Sequence, residues 1–164
     1  MLVANGPGER LVNRAMEKKV DVSGVINTGF CGALDPALKV GDIVEWRQGI
    51  VTRDRVVVTA AEKRELRAST GAAAVDMEAA AVERKAQEWA VPFTCVRAVS
   101  DRADEDMPLD FNLYRDRDGR FSRARIATRA MLPPFGHIRG LLRLERQCRV
   151  AADALGEFFA QHQF

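Results

Sequence analysis

The sequence predicts an α/β fold, and three observations carry that prediction. Short runs of apolar and β-branched residues alternate with segments of helical periodicity along the first hundred residues. The junctions between them carry turn chemistry: Gly6-Pro7-Gly8, Asp35-Pro36 and Gly41-Asp42. Hydrophobic residues make up 47% and charged residues 29% of 164 positions, a balance that fills one domain-sized core and leaves a solvated surface.

Taken in order, "MLVA" is a short apolar run ending at Asn5-Gly6-Pro7-Gly8. Leu11, Val12, Ala15 and Met16 then recur at helical spacing. "SGVINTG" reads as a buried strand stopped by Gly29, so the start has the form of a βαβ unit with a parallel strand pair. "FCGALDPALKVGD" reads as a loop, and "IVEW" and "IVTRDRVVV" as strands that Arg47-Gln48-Gly49 could join in a tight hairpin. Thr59 is placed to cap a helix over "AAEKRELRAS". "GAAAVD" predicts a strand, "MEAAAVERKAQEWA" a helix and "PFTCVRAVS" a strand. "YRDRDGR" reads as a mobile surface loop, and a helix over "SRARIATRAML" stops at Pro133-Pro134. From Ile138 to Phe159, residues Leu141, Leu144, Cys148, Ala151, Leu155 and Phe158 form one apolar helix face, with Arg139, Arg143, Arg146 and Arg149 mostly off it. The whole chain, 1–164, is expected to form a single domain with a helical, basic C-terminal part from about residue 119.

The composition excludes several function classes. No apolar stretch is long enough to span a membrane, and the N-terminus lacks the pattern of a secretory signal, so a cytoplasmic location is expected. Three cysteines without CxxC spacing argue against a disulfide framework or a thiolate metal site, and two isolated histidines argue against a metal hydrolase. No metal and no organic cofactor is expected. Net charge is +2, but between Arg115 and Arg149 ten arginines face only Asp116, Asp118 and Glu145. That stretch has no interleaved aromatics, so a solvated helix face or an anionic membrane surface is favoured over nucleic acid.

In α/β sheets ligands sit beyond the carboxyl ends of strands. Polar residues fall there at Asn5 to Gly8, at Asp76-Met77-Glu78 and at Ser100-Asp101. Each has a plain structural reading. Asp76 and Glu78 suit a helix N-terminus, Asp101 suits a cap, and Gly6-Pro7-Gly8 suits a strand-to-helix turn. As a dinucleotide fingerprint the glycines fail, because Leu11 occupies the third position.

Two blocks in order resemble the nucleoside phosphorylase superfamily, which includes purine nucleoside phosphorylases and methylthioadenosine/S-adenosylhomocysteine nucleosidases. They are "GVINTGFCGALDPALKVGDIV" and "VDMEAAAVERKAQEWAVPFTCVRAVSDRADED". "DRVVVTAAEKRELRASTGAAAVDME" and "LDFNLYRDRDGR" look most like hopanoid-associated phosphorylases, which are proposed to release adenine from adenosylhopane. The resemblance implies a three-layer α/β/α fold around a mixed, largely parallel sheet, shortened at the N-terminus and in the middle. It implies an enzyme cleaving the N-glycosidic bond of an adenosine-type purine nucleoside, and a homo-oligomer. In that reading Glu78 takes both ribose hydroxyls, Met77 packs under the sugar, and Asp76 stands where the family usually has Glu. Asp101, supported by Ser100, meets the purine near N7. Gly6, Gly8, Asn27, Thr28 and Gly29 form the phosphate or water loop.

The chemistry suits these residue types. A carboxylate accepts hydrogen bonds from two neighbouring hydroxyls at once, and an acid beside the base relieves the charge that cleavage leaves on it. The family's phosphate-gripping arginine and serine correspond here to Asn27 and Phe30, which supply no positive charge. Phosphate as co-substrate and water as the attacking group therefore both stay open. So does a nucleoside-binding homologue without turnover.

Overall fold

The computed structural model describes residue 3 and residues 6–117, 119–131 and 136–162. Its elements are α1 (Glu9–Ala15), β1 (Val25–Ala33), β2 (Ile43–Glu45), β3 (Ile50–Thr52), α2 (Ala60–Thr70), β4 (Ala74–Asp76), α3 (Ala79–Trp89), β5 (Phe93–Asp101), α4 (Arg123–Ala130) and α5 (Gly136–Gln161). Short 3₁₀ turns occupy Trp46–Gln48 and Phe111–Tyr114.

Among the described residues the strands form one mixed sheet in the order β2-β5-β1-β4-β3. β1 runs parallel to β5 and β3 parallel to β4, while β4 lies antiparallel to β1 and β2 antiparallel to β5. Alternation along β1 and β5 sorts the helices into two layers. Val25 and Phe93, a register pair, pack with Val12 and Met16 of the α1 segment and Ala81 and Val82 of α3. On the other face Val75 packs with Leu66 of α2. The apolar stripe predicted for the C-terminal helix is the inward face of α5, which lies on β5, and its four named arginines are exposed. The result is the three-layer α/β/α arrangement.

Four sequence expectations need correction. Gly29 does not stop the first strand; β1 continues to Ala33 and absorbs the start of the expected loop. β2 and β3 form no hairpin, because they are the two opposite edges of the sheet. Five peptide steps from Glu45 to Ile50 reach at most roughly 18 Å. Four strand spacings across a flat sheet come to roughly 19 Å. A 3₁₀ turn shortens the connection further, so the sheet must curl to bring its edges together. Third, β1 finds its parallel partner in β5, while Val3 is not in a strand and the rest of "MLVA" lies outside the described residues. Fourth, the "YRDRDGR" segment is pinned: Arg115 bridges Phe121, the Asp116 N–H bonds the Arg120 carbonyl, and the Arg115 side chain binds Asp54. Asp118 and the Pro133-Pro134 stop lie outside the described residues.

Local chemistry explains the helix that matters most for the site. Thr59 accepts from the Glu62 N–H at 3.1 Å while Glu62 accepts from the Thr59 N–H, a reciprocal capping box. Gly71, at φ 70°, ends α2 in the left-handed conformation that a side chain disfavours. Among the described residues, no helix is long and apolar enough to cross a membrane.

Candidate active site

A cavity of about 280 Å³ opens where β4 and β5 end. That volume lies near the lower end of the range for small-ligand pockets. Phe30, Val57, Val75, Met107 and Phe121 give it apolar walls, and Asp76, Met77, Glu78, Ser100 and Asp101 give it polar ones. The five residues that the sequence placed at two strand ends thus meet in one space, although Ser100 and Asp101 lie more than twenty residues beyond Glu78. The wall at Val56 is fixed from the C-terminal part: Asn112 accepts from the Val56 N–H at 2.9 Å and donates to its carbonyl at 3.0 Å.

Glu78 sits at the start of α3, where its Oε1 accepts the Gly8 N–H at 2.8 Å and its Oε2 lies 3.3 Å from the Arg97 guanidinium. Burial pushes the Glu78 carboxyl above its ordinary range, against the lowering pull of Arg97 and of the Gly8 hydrogen bond. A carboxylate has about four acceptor positions, so these two contacts leave capacity for a diol.

Asp76 has a different part. Its side chain is fully buried and accepts four hydrogen bonds. Oδ2 accepts from Arg97 Nη2 at 2.5 Å, Arg97 Nε at 3.0 Å and the Ala79 N–H at 2.8 Å, while Oδ1 accepts from Thr52 Oγ1 at 2.7 Å. Asp76 therefore ties β3, β5 and the first turn of α3 together, a structural part beside the ribose role that the resemblance implies. Its plain reading as an acid at a helix start fits the Ala79 contact.

Ser100 and Asp101 reach the cavity together because β5 bulges against β1. The register steps from Cys31–Val99 to Gly32–Asp101, so Ser100 is the extra residue and strict alternation is broken. Ser100 Oγ donates to Asp101 Oδ1 at 2.8 Å and also lies 3.2 Å from the Cys31 carbonyl. Asp101 Oδ2 accepts from Lys63 Nζ at 2.6 Å. Gly32 makes room for that carboxylate, since a Cβ there would lie 2.9 Å from Oδ2.

The predicted phosphate or water loop does not assemble at this cavity. Gly8 approaches it through the N–H held by Glu78, whereas Gly6 rests against Leu11. Asn27 and Thr28 line a second pocket beside α1 and α3, and Asn27 accepts from Arg97 at 2.5 Å. Gly29 serves Arg97 too, because a Cβ at its φ of 154° would meet the guanidinium at 2.7 Å. Asn5 lies outside the described residues.

Three residues of the site escaped the sequence reading. Arg97, 2% exposed, is the hub joining Asp76, Glu78 and Asn27. Its signal was a lone charge inside the apolar run "FTCVRAV", since a buried charge requires a partner. Lys63, 0% exposed, gave no such signal, because in "AAEKRELRAS" it looks like any solvated helix charge. Arg115 braces the Gly8 turn from the side, reaching the Pro7 carbonyl at 3.4 Å. The buried thiols add no nucleophile: burial pushes Cys95 up to about 12 and raises Cys31 as well, so both are protonated at neutral pH. Among the described residues no cluster of three or more His, Cys, Asp or Glu could hold a metal ion.

A 5'-methylthioadenosine/S-adenosylhomocysteine nucleosidase of Shewanella denitrificans is 28% identical over 156 aligned positions, covering 64% of this chain and 68% of that protein. The enzyme of the same name from Shewanella loihica is 40% identical over 50 residues, 30% of this chain and 22% of that protein. Many of these matches are thus local and take in well under two thirds of the relative. Among solved structures, S-adenosylhomocysteine nucleosidase from Streptococcus pyogenes superimposes with a TM-score of 0.62 at 16% identity, over 98% of this chain and 78% of that one. Futalosine hydrolase of Helicobacter pylori gives 0.59 at 17% identity, over 95% and 77%. The sequence profile of the phosphorylase superfamily matches residues 47–131, just over half of the chain, a span that contains β3, β4, α3, β5 and both acidic strand ends. The chain belongs to the phosphorylase superfamily.

Proposed function

We propose that this protein cleaves the N-glycosidic bond of an adenosine-type purine nucleoside and releases the base. The observation that carries the reading is that Glu78 and Asp101 open onto one cavity of nucleoside-compatible size. Glu78 takes the ribose 2'- and 3'-hydroxyls through its unused acceptor positions, and Met77 lies against the sugar with a soft thioether. The apolar walls around Phe30, Met107 and Phe121 take the purine faces. Asp101, with Ser100 and Lys63 behind it, faces the N7 edge. As the bond breaks, electrons move onto the purine, and a proton shared by the Lys63–Asp101 pair meets the charge that develops there. The name shared by the curated relatives, 5'-methylthioadenosine/S-adenosylhomocysteine nucleosidase, supports the same class.

The test is adenine release from adenosine-type nucleosides with and without phosphate. Release in both conditions assigns water as the attacking group, and release only with phosphate assigns phosphorolysis. Absence of release in both overturns the proposal and leaves a nucleoside-binding homologue. A lipid-linked nucleoside such as adenosylhopane is the substrate that the exposed arginine face of α5 favours, since Ile138, Leu142 and Val150 are exposed among Arg139, Arg143, Arg146 and Arg149.

A further inference from the structure

Arg115, in the "YRDRDGR" segment, holds three pieces of chain that border the cavity. Its side chain is 16% exposed. Nε donates to the Gly119 carbonyl at 3.2 Å, and Nη1 to the Asp54 carbonyl at 2.5 Å. Nη2 donates to the Pro7 carbonyl and to Asp54 Oδ1, each at 3.4 Å. Pro7 lines the cavity itself, Asp54 precedes the wall at Arg55 to Val57, and Gly119 lies in the turn that leads to Phe121. Gly8 makes room for the guanidinium: at its φ of 98° a side chain is disfavoured, and a Cβ there would run into Nη2.

The Pro7 carbonyl and the Gly8 N–H are the two ends of one peptide group. That group is planar, so fixing the direction of its carbonyl fixes the direction of its N–H. Arg115 donates to the carbonyl, and the N–H donates to Glu78 Oε1 at 2.8 Å. Guanidinium, peptide and carboxylate form one hydrogen-bonded chain, in which each bond polarises the next in the same sense. We propose that Arg115 is a positioning residue for the ribose: through the Pro7–Gly8 peptide it aims the N–H at Glu78 Oε1, so that the carboxylate is held with its unused acceptor positions toward the sugar hydroxyls. Arg115 itself touches no ligand. The inference rests on the nucleoside reading above and adds the residue that sets its ribose contact.

Calorimetry on the full chain tests it without requiring turnover, by comparing adenosine, which carries the diol, with free adenine, which does not. The wild type is expected to bind adenosine about tenfold or more tightly than adenine, the scale of one hydrogen bond to a charged group. Arg115→Met is expected to remove most of that difference, with adenine affinity changed by less than about threefold. Arg115→Lys keeps the charge but not the fork that reaches Pro7 and Asp54 together, and is expected to lose about threefold for adenosine alone. It carries the test if the methionine variant does not fold. The pH dependence is a second readout. The Gly8 N–H and Arg97 lower the Glu78 carboxyl against burial and Asp76, which raise it. Loosening the turn therefore moves the acid loss of adenosine affinity to higher pH, which a general loss of packing does not do. A folded variant that keeps its adenosine preference, loses affinity for both ligands in equal proportion or leaves the pH midpoint in place overturns the inference and leaves the nucleoside reading intact. A wild type that binds adenosine no more tightly than adenine overturns the ribose role of Glu78 and this inference with it. Binding of neither ligand overturns both.

Discussion

At the scale of single residues, Glu78 and Asp76 differ in how much of their hydrogen-bonding capacity the protein uses. Glu78 keeps acceptor positions free for a ligand, so Glu78→Ala is expected to weaken adenosine binding at least tenfold in calorimetry, consistent with losing hydrogen bonds to a charged group. Unchanged affinity would remove the diol role. Diol binding needs the ionised carboxylate, and the Glu78 carboxyl is raised by burial. As pH falls, affinity is therefore expected to drop while the medium is still above the ordinary carboxylate range, and a titration of dissociation constants from pH 8 to pH 4 reads this directly. For stability the sign is that of a raised acid: Glu78's contribution is complete below its unfolded value and is lost as pH rises through the folded one. Asp76 behaves otherwise. Asp76→Asn leaves Arg97 poorly compensated in the interior, at a cost of roughly 3–5 kcal/mol. The expected result is a melting temperature lower by roughly 10 °C in circular dichroism.

At the scale of elements, the positions best read from sequence were those with short-range causes. The Thr59 cap and the helix α2 it begins depend on neighbours within a few residues, and both formed where the pattern put them, whereas Gly71, read as the start of a strand, instead ends α2 and β4 begins only at Ala74. Thr59→Ala should cost about 1 kcal/mol, read as a lower midpoint in urea with unchanged slope. Strand order depends on partners far along the chain, and there the reading of adjacent β2 and β3 as a hairpin failed. The site divides the same way. Met77, Glu78, Ser100 and Asp101 were legible because strand ends carry ligands in this fold class. Lys63 and Arg97 were not, because their meaning comes from Asp101 and Asp76, 38 and 21 residues away. The bulge at Ser100 was equally silent, since β5 reads as one uninterrupted apolar strand.

At the scale of the molecule, the basic surface and the candidate site occupy different parts of the fold. The carboxylates gather at the ends of β4 and β5, while the outer side of α5 carries four exposed arginines along its length. Sedimentation with liposomes checks whether that face has a use: binding to anionic vesicles and none to neutral ones is expected, with loss of binding as salt rises. Equal absence from both kinds would leave α5's basic side as solvated surface.

The short tie between β2 and β3 also limits how a ligand can enter. Trp46 of that tie is wedged edge-on against Phe93 at 5.9 Å and held by Glu83 through its indole N–H. With its borders tied in this way, unrolling the sheet to widen the chamber would have to stretch the short connection between them. A guest is therefore expected to find the strands beneath it at unchanged spacing, with Arg55 and Met107 among the side chains that line its space.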